Sequence, residues 1–135
     1  PNIKYKINGG SIYLQPISID DISDDYLSWL NNPQTNKYLE VRHSKQTKNT
    51  IIDYINNLRS KNGCDLLGIF YLKTNQMYGT LGIINFDANN KRIENGLLFG
   101  DKKSRRIGTG GLATILFYNY TFFHTDIIKI HNNVV

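Results

Sequence analysis

The chain has 135 residues, 40% of them hydrophobic, with nine Tyr and six Phe, enough to bury one core but not two. Its one cysteine, Cys64, excludes an intrachain disulfide, and no apolar run reads as an export signal or a membrane span, so a single cytoplasmic domain over residues 1–135 is expected. The formal charge of +5 raises nucleic acid as a partner, but the densest basic cluster (Lys102, Lys103, Arg105, Arg106) coincides with a glycine-rich segment and has no basic helix or series of stacking aromatics beside it. Neither nucleic acid nor a membrane is therefore an expected partner.

In chain order, residues 11–15 alternate like a strand. Residues 21–30 carry acidic groups in their first turn and are followed by Pro33, which marks a first helix. Trp29 and Leu30 on it read as core, with substrate stacking the alternative for Trp29. Residues 48–61 form a second helix with Ile51, Ile55 and Leu58 on one side, stopped by Asn62 and Gly63. Cys64 reads as a small buried filler rather than a nucleophile. Three strands follow at 66–73, 79–86 and 92–100, separated by the turn-rich 74–76 and 87–91, which makes them antiparallel neighbours. The apolar run 112–123 is too long and too poor in breakers for a strand, and a last strand opens at Asp126. Strand, glycine turn, helix and strand form a crossover, hence a parallel pair. The fold class is α/β (α+β), a mixed and mostly antiparallel sheet flanked by helices.

The glycine turn carries the chemistry. Gly108, Gly110 and Gly111 allow close backbone approach, and the first amides of the following helix lack intrahelical partners at the positive end of its dipole. With the neighbouring basic side chains, this favours a diphosphate, although glycine-rich turns before helices also occur without a ligand. A P-loop is excluded because no Gly-Lys-Ser/Thr tripeptide occurs. The dinucleotide fingerprint G-x-G-x-x-G/A fits residues 108–113, but Asp126 opens a strand instead of ending one. A third pattern, Q/R-x-x-G-x-G/A, is met at every defined position by Arg105, Arg106, Ile107, Gly108, Thr109 and Gly110.

That pattern is the acyl-CoA pyrophosphate signature of the GNAT acetyltransferases, and further blocks carry the same resemblance. They are Leu14-Gln-Pro-Ile17; then Tyr26-Leu-Ser-Trp-Leu-Asn31 with Pro33, Asn36, Tyr38-Leu-Glu40 and Arg42; then Asn95-Gly-Leu-Leu-Phe-Gly-Asp-Lys102. From about Ile12 to Ile130 the chain resembles the branch of ribosomal-protein-type and amino-sugar N-acetyltransferases. Arg105, Arg106 and Ile107 replace the aromatic and Gly-Lys usual there. The family continues beyond the last strand with a helix and a β-hairpin, where many relatives keep a Tyr that protonates the leaving thiolate. The sequence is expected to lack that piece, leaving a sheet edge open to a second copy.

The resemblance implies the GNAT acyltransferase fold, with its two parallel strands splayed at the acyl-CoA site. It implies acetyl-CoA as cosubstrate, no metal, and a small-molecule primary amine as acceptor, an amino sugar or a nucleotide-linked one. A protein N-terminus as acceptor and a noncatalytic acyl-CoA-binding module are the alternatives. Leu98, Phe99 and Gly100 would offer backbone to the pantetheine arm, with Arg105, Arg106, Ile107, Gly108, Thr109, Gly110 and Gly111 at the pyrophosphate. Glu94 matches the carboxylate that deprotonates the amine in many members, against a surface glutamate paired with Lys91 or Arg92. Glu40 is the second catalytic candidate, a carboxylate able to hold a cationic amine. Tyr38, Arg42 and His43 are candidates for acceptor binding, Arg42 as a clamp on an anionic group and His43 as a proton relay or an exposed loop residue.

Overall fold

Alternating apolar residues build the strands of one sheet. The computed structural model describes residues 6–32, 45–100, 109–124 and 129–134. The sheet has six strands in the order β1 (Ile7–Gly9), β2 (Ile12–Pro16), β3 (Asp65–Tyr71), β4 (Met77–Asp87), β5 (Arg92–Phe99) and β6 (Lys129–Val134). Neighbours from β1 to β5 are antiparallel, while β5 and β6 are parallel, paired from Arg92–Lys129 to Leu97–Val134. The β4–β5 turn is held by the Asp87 carboxylate, which accepts from Asn90 N at 3.2 Å and Asn90 Nδ2 at 2.7 Å. These bonds, the side-chain one first, hold the Asp87 carboxyl below its ordinary pKa.

Among the described residues, three α-helices cover the sheet. Ser23 caps α1 (Asp24–Asn31) by accepting from Tyr26 N at 3.2 Å. Thr47 and Thr50 form a capping box at the start of α2 (Lys48–Arg59), which buries Ile51, Ile55 and Leu58. After α2 the chain turns through Gly63 at φ +80°, where a Cβ would lie 2.6 Å from Phe86 Cγ, so glycine is required on both counts. The third helix, α3 (Thr109–His124), links β5 to β6 and reaches across to β1 and β2. Phe117 and Ala113 of α3 pack with Ile12, Leu14, Leu67, Ile69, Leu81, Ile83, Ile93, Leu97 and Phe99 on one sheet face. The other face joins Leu66 and Leu98 to Tyr26 and Leu30 of α1 and to Ile51, Ile55 and Leu58 of α2. No described helix is long and apolar enough to cross a membrane.

Several boundaries differ from the sequence reading. The helix expected from residue 21 is two pieces, a 3-10 turn Ile19–Asp21 and α1, because Ser18 and Ser23 each start a new cap. β1 was not foreseen, since three residues are too few to display alternation. The glycine pair expected in a turn lies inside the first turn of α3, which begins at Thr109. The last strand is described over Lys129–Val134, and its expected opening at Asp126 lies outside the described residues. Cys64 is buried as expected, its thiol donating to Ile84 O at 3.4 Å and its pKa raised by burial, which makes it inert.

Candidate active site

The C-terminal end of β5 is where the sequence reading and the geometry meet. Gly100 N donates to Tyr78 O at 2.9 Å, so these two residues form a hydrogen-bonded pair of the antiparallel ladder. In such a ladder the polar groups of successive residues point to opposite sides. Leu98, opposite Thr80, therefore also directs its N–H and C=O at β4. Phe99 directs its own toward the β6 side. Among the described residues β6 pairs with β5 from Arg92–Lys129 to Leu97–Val134, so Phe99 aims one donor and one acceptor at that side of β5. Of the three expected backbone partners, Phe99 is the one so oriented.

Side chains on the α1 face buttress this strand end. A Cβ at Gly100 would lie 2.2 Å from Trp29 Cε2 and 2.4 Å from Cζ2, so the half-buried indole rests directly on the backbone and glycine alone fits. Tyr26, one helical turn earlier, meets Trp29 edge-on at 6.0 Å and 71°. Its buried hydroxyl bonds to the side chain of buried Thr80, the residue facing Leu98. Burial, then Tyr54 nearby, pushes the Tyr26 pKa well above its ordinary value, and the Thr80 bond offsets this only in part. Tyr26 is thus a neutral strut and not an acid available near neutral pH.

Glu94 lies earlier on β5, on the same face as Leu98 and Gly100, and is half-buried. It lies four positions before Leu98, about 13 Å along the strand. A β-bulge between Ile83 and Asn85 places Asn85 opposite it, and Asn85 Nδ2 donates to Glu94 Oε2 at 2.7 Å. Asn85 thereby orients the carboxylate.

The Asn31 side chain ends α1 with a two-point clamp on Gln46: Oδ1 accepts from Gln46 N at 2.7 Å and Nδ2 donates to Gln46 O at 3.0 Å. This ties together the two ends of the stretch 33–44. Tyr38, Glu40, Arg42 and His43 fall in that stretch and lie outside the described residues, as do Arg105, Arg106, Ile107 and Gly108. Thr109, Gly110 and Gly111 contribute the first backbone turn of the 16-residue α3. Among the described residues, no three His, Cys, Asp or Glu side chains gather as a metal site would need.

Sequence reasoning missed the contacts that give this site its shape. The Tyr26-x-x-Trp29 spacing signals one helix face, yet only the fold shows that the face lands on Thr80 and Gly100. Asn31 stands in one of the family-like blocks and near a helix end, but nothing in the sequence pointed to its clamp on Gln46.

Comparison with known proteins decides the family. The acetyltransferase (GNAT) domain family matches residues 11–134. The chain belongs to that family. No curated protein sequence matches it. A Vibrio cholerae structure described as a ribosomal-protein-serine acetyltransferase superposes with TM-score 0.69 at 19% identity, over 95% of this chain and 72% of that one. A nucleotide-linked sugar GNAT aligns at TM-score 0.66 and 17% identity, over 89% of this chain and 67% of that one. A spermidine N-acetyltransferase chimera from Vibrio cholerae and hSSAT aligns at 0.67 and 13%, over 90% and 69%. At such identities the likeness shows the fold. Membership in the GNAT family makes the chain an acyltransferase domain, and the family's usual acyl donor is acetyl-CoA.

Proposed function

We propose that this GNAT domain moves an acetyl group from acetyl-CoA to the primary amine of a small acceptor, an amino sugar or a nucleotide-linked amino sugar. The observation that carries the donor half is the strand end. Phe99 turns its N–H and C=O away from β4, where the main-chain amides of a pantetheine arm can pair with them as an added strand. The chain then enters the segment holding Arg105 and Arg106, and the backbone of Thr109, Gly110 and Gly111 opens α3, so the unpaired amides of a helix start follow the strand end.

Acetyl-CoA supplies an activated acyl group whose thioester carbon accepts the amine. An ammonium has no lone pair, so a base must remove its proton before the C–N bond forms. Glu94, oriented by Asn85, takes that proton directly or through water. Glu40 holds the cationic amine before it is deprotonated. Tyr38, Arg42 and His43 recognise the rest of the acceptor, Arg42 suiting a phosphate or carboxylate. The C–S bond then breaks and the thiolate of CoA leaves, needing one proton from a general acid. An amino-sugar acceptor is supported by the sequence blocks shared with that branch and by the nucleotide-linked sugar enzyme among its structural relatives.

The test is acetyl transfer by the purified chain to free and nucleotide-linked amino sugars, spermidine and a peptide with N-terminal serine, followed by thiol release and product mass. Acetylation of an amino sugar well above the uncatalysed rate is expected. Transfer only to the peptide would overturn the acceptor assignment. Binding of acetyl-CoA with no transfer to any amine would overturn the enzymatic reading in favour of a binding module.

A further inference from the structure

From the packing at the end of β5 we infer that Trp29 is a positioning residue for the acyl donor: its indole fixes the backbone of Gly100, and through it the orientation of Phe99. This rests on the donor half of the proposed function.

Three contacts lead to it. The indole lies on Gly100 so closely that a Cβ there would fall 2.2 Å from Cε2, well inside van der Waals contact. Strand β5 is held on its other side by Gly100 N donating to Tyr78 O at 2.9 Å. The indole is itself held by Tyr26, edge-on at 6.0 Å, and Tyr26 is anchored through its hydroxyl to Thr80, opposite Leu98. Residues 98–100 are thus gripped by β4 in the sheet plane and by the α1 aromatics from one face. Phe99 sits between the two gripped residues. It packs into the core on the opposite face, where Tyr78 stacks with it at 6.3 Å and 15°.

A strand end without side-chain support on its face would otherwise twist and fray. Holding it in one geometry before the ligand arrives lowers the ordering cost of binding. Trp29 is half-buried, which is more contact with solvent than a residue serving the core alone requires. It is also the single tryptophan of the chain, so its emission reports on this strand end and on nothing else.

The experiment is a size-swap cycle on the full chain, read by calorimetric titration with acetyl-CoA and by tryptophan emission. Wild type should bind acetyl-CoA with a saturable emission change whose midpoint matches the calorimetric Kd. Gly100→Ala, which drives a methyl group into the indole, should weaken binding about tenfold or more. Trp29→Leu should weaken it about three- to tenfold, raising KM for acetyl-CoA with kcat for the acceptor step much less affected, and Trp29→Phe should recover most of the loss. The double variant Trp29→Leu with Gly100→Ala should bind better than Gly100→Ala alone, because the smaller side chain accommodates the methyl. Circular dichroism and melting confirm that each variant is folded.

Folded Trp29→Leu with an unchanged Kd, or a double variant no better than Gly100→Ala, would overturn the inference while leaving the acyl-CoA site in place. A folded wild type that does not bind acetyl-CoA would overturn the donor assignment and this inference with it.

Discussion

Asn31→Ala removes the two-point clamp between the end of α1 and the residue just before α2, and its cost can be worked from the bonds it breaks. Asn31 Oδ1 accepts from Gln46 N at 2.7 Å and Nδ2 donates to Gln46 O at 3.0 Å, both near ideal length. A neutral hydrogen bond contributes about 0.5–1.5 kcal/mol net, and Gln46 is buried, so both main-chain groups lose a partner with little access to water. The expected loss is about 2 kcal/mol. For a domain of this size that lowers the melting temperature by about 7 °C. Asn31→Asp separates the two bonds, since a carboxylate still accepts from Gln46 N but repels Gln46 O. At neutral pH it should cost at least as much as alanine, and part of the loss should return below about pH 4, where the acid is protonated and can donate. Urea denaturation followed by circular dichroism measures both. Because the clamp brackets the stretch carrying Tyr38, Glu40, Arg42 and His43, the alanine variant should also raise KM for the acceptor while acetyl-CoA affinity stays constant. A stability change below about 0.3 kcal/mol, or equal losses of donor and acceptor binding, would refute this account of the clamp.

Glu94→Gln should lower turnover by about 10²- to 10⁴-fold while leaving acetyl-CoA binding intact, measured by steady-state kinetics and calorimetry on one preparation. Tyr26 has a pKa raised in the folded state above its ordinary value of 10.0, so it stabilises the fold fully below that pH and progressively less as pH rises. Alkaline titration of stability should therefore fall more steeply above about pH 10 in wild type than in Tyr26→Phe, which in turn loses about 1–2 kcal/mol at neutral pH by stranding buried Thr80. Phe117 is fully buried between α3 and the sheet, and Phe117→Ala should cost about 3–5 kcal/mol in urea denaturation. Gly63→Ala meets both a positive φ and the Phe86 ring, and should cost more than the roughly 1 kcal/mol expected for an unhindered exchange.

What could be read from the sequence follows from the range of the forces involved. β2 to β5, α2 and α3 declare themselves through period-two alternation, a 3.6-residue stripe ending at Gly63, and an apolar run too long for a strand. These signals are local. The break between the 3-10 turn and α1 was missed because Ser18 and Ser23 are both competent caps and propensity cannot rank them. The bulge that sets Asn85 opposite Glu94 depends on strand register, which adjacent residues do not encode. Glu94 could be named as a carboxylate on β5, but its Asn85 partner and the expected pairing with Lys91 or Arg92 are matters of geometry. In the same way the sequence marks Gly100 as the end of a strand, whereas the reason it must be glycine, the Trp29 indole on another element, is a tertiary contact. The alternation that singles out Phe99 likewise needs one observed bond, Gly100 N to Tyr78 O, to fix its phase.

Calorimetric titration of the folded chain with acetyl-CoA, with NAD and a short DNA duplex as controls, bears most directly on the central claim. Saturable one-to-one binding of acetyl-CoA alone is predicted. Binding of NAD or DNA in its place, or no heat with any of the three, would contradict it.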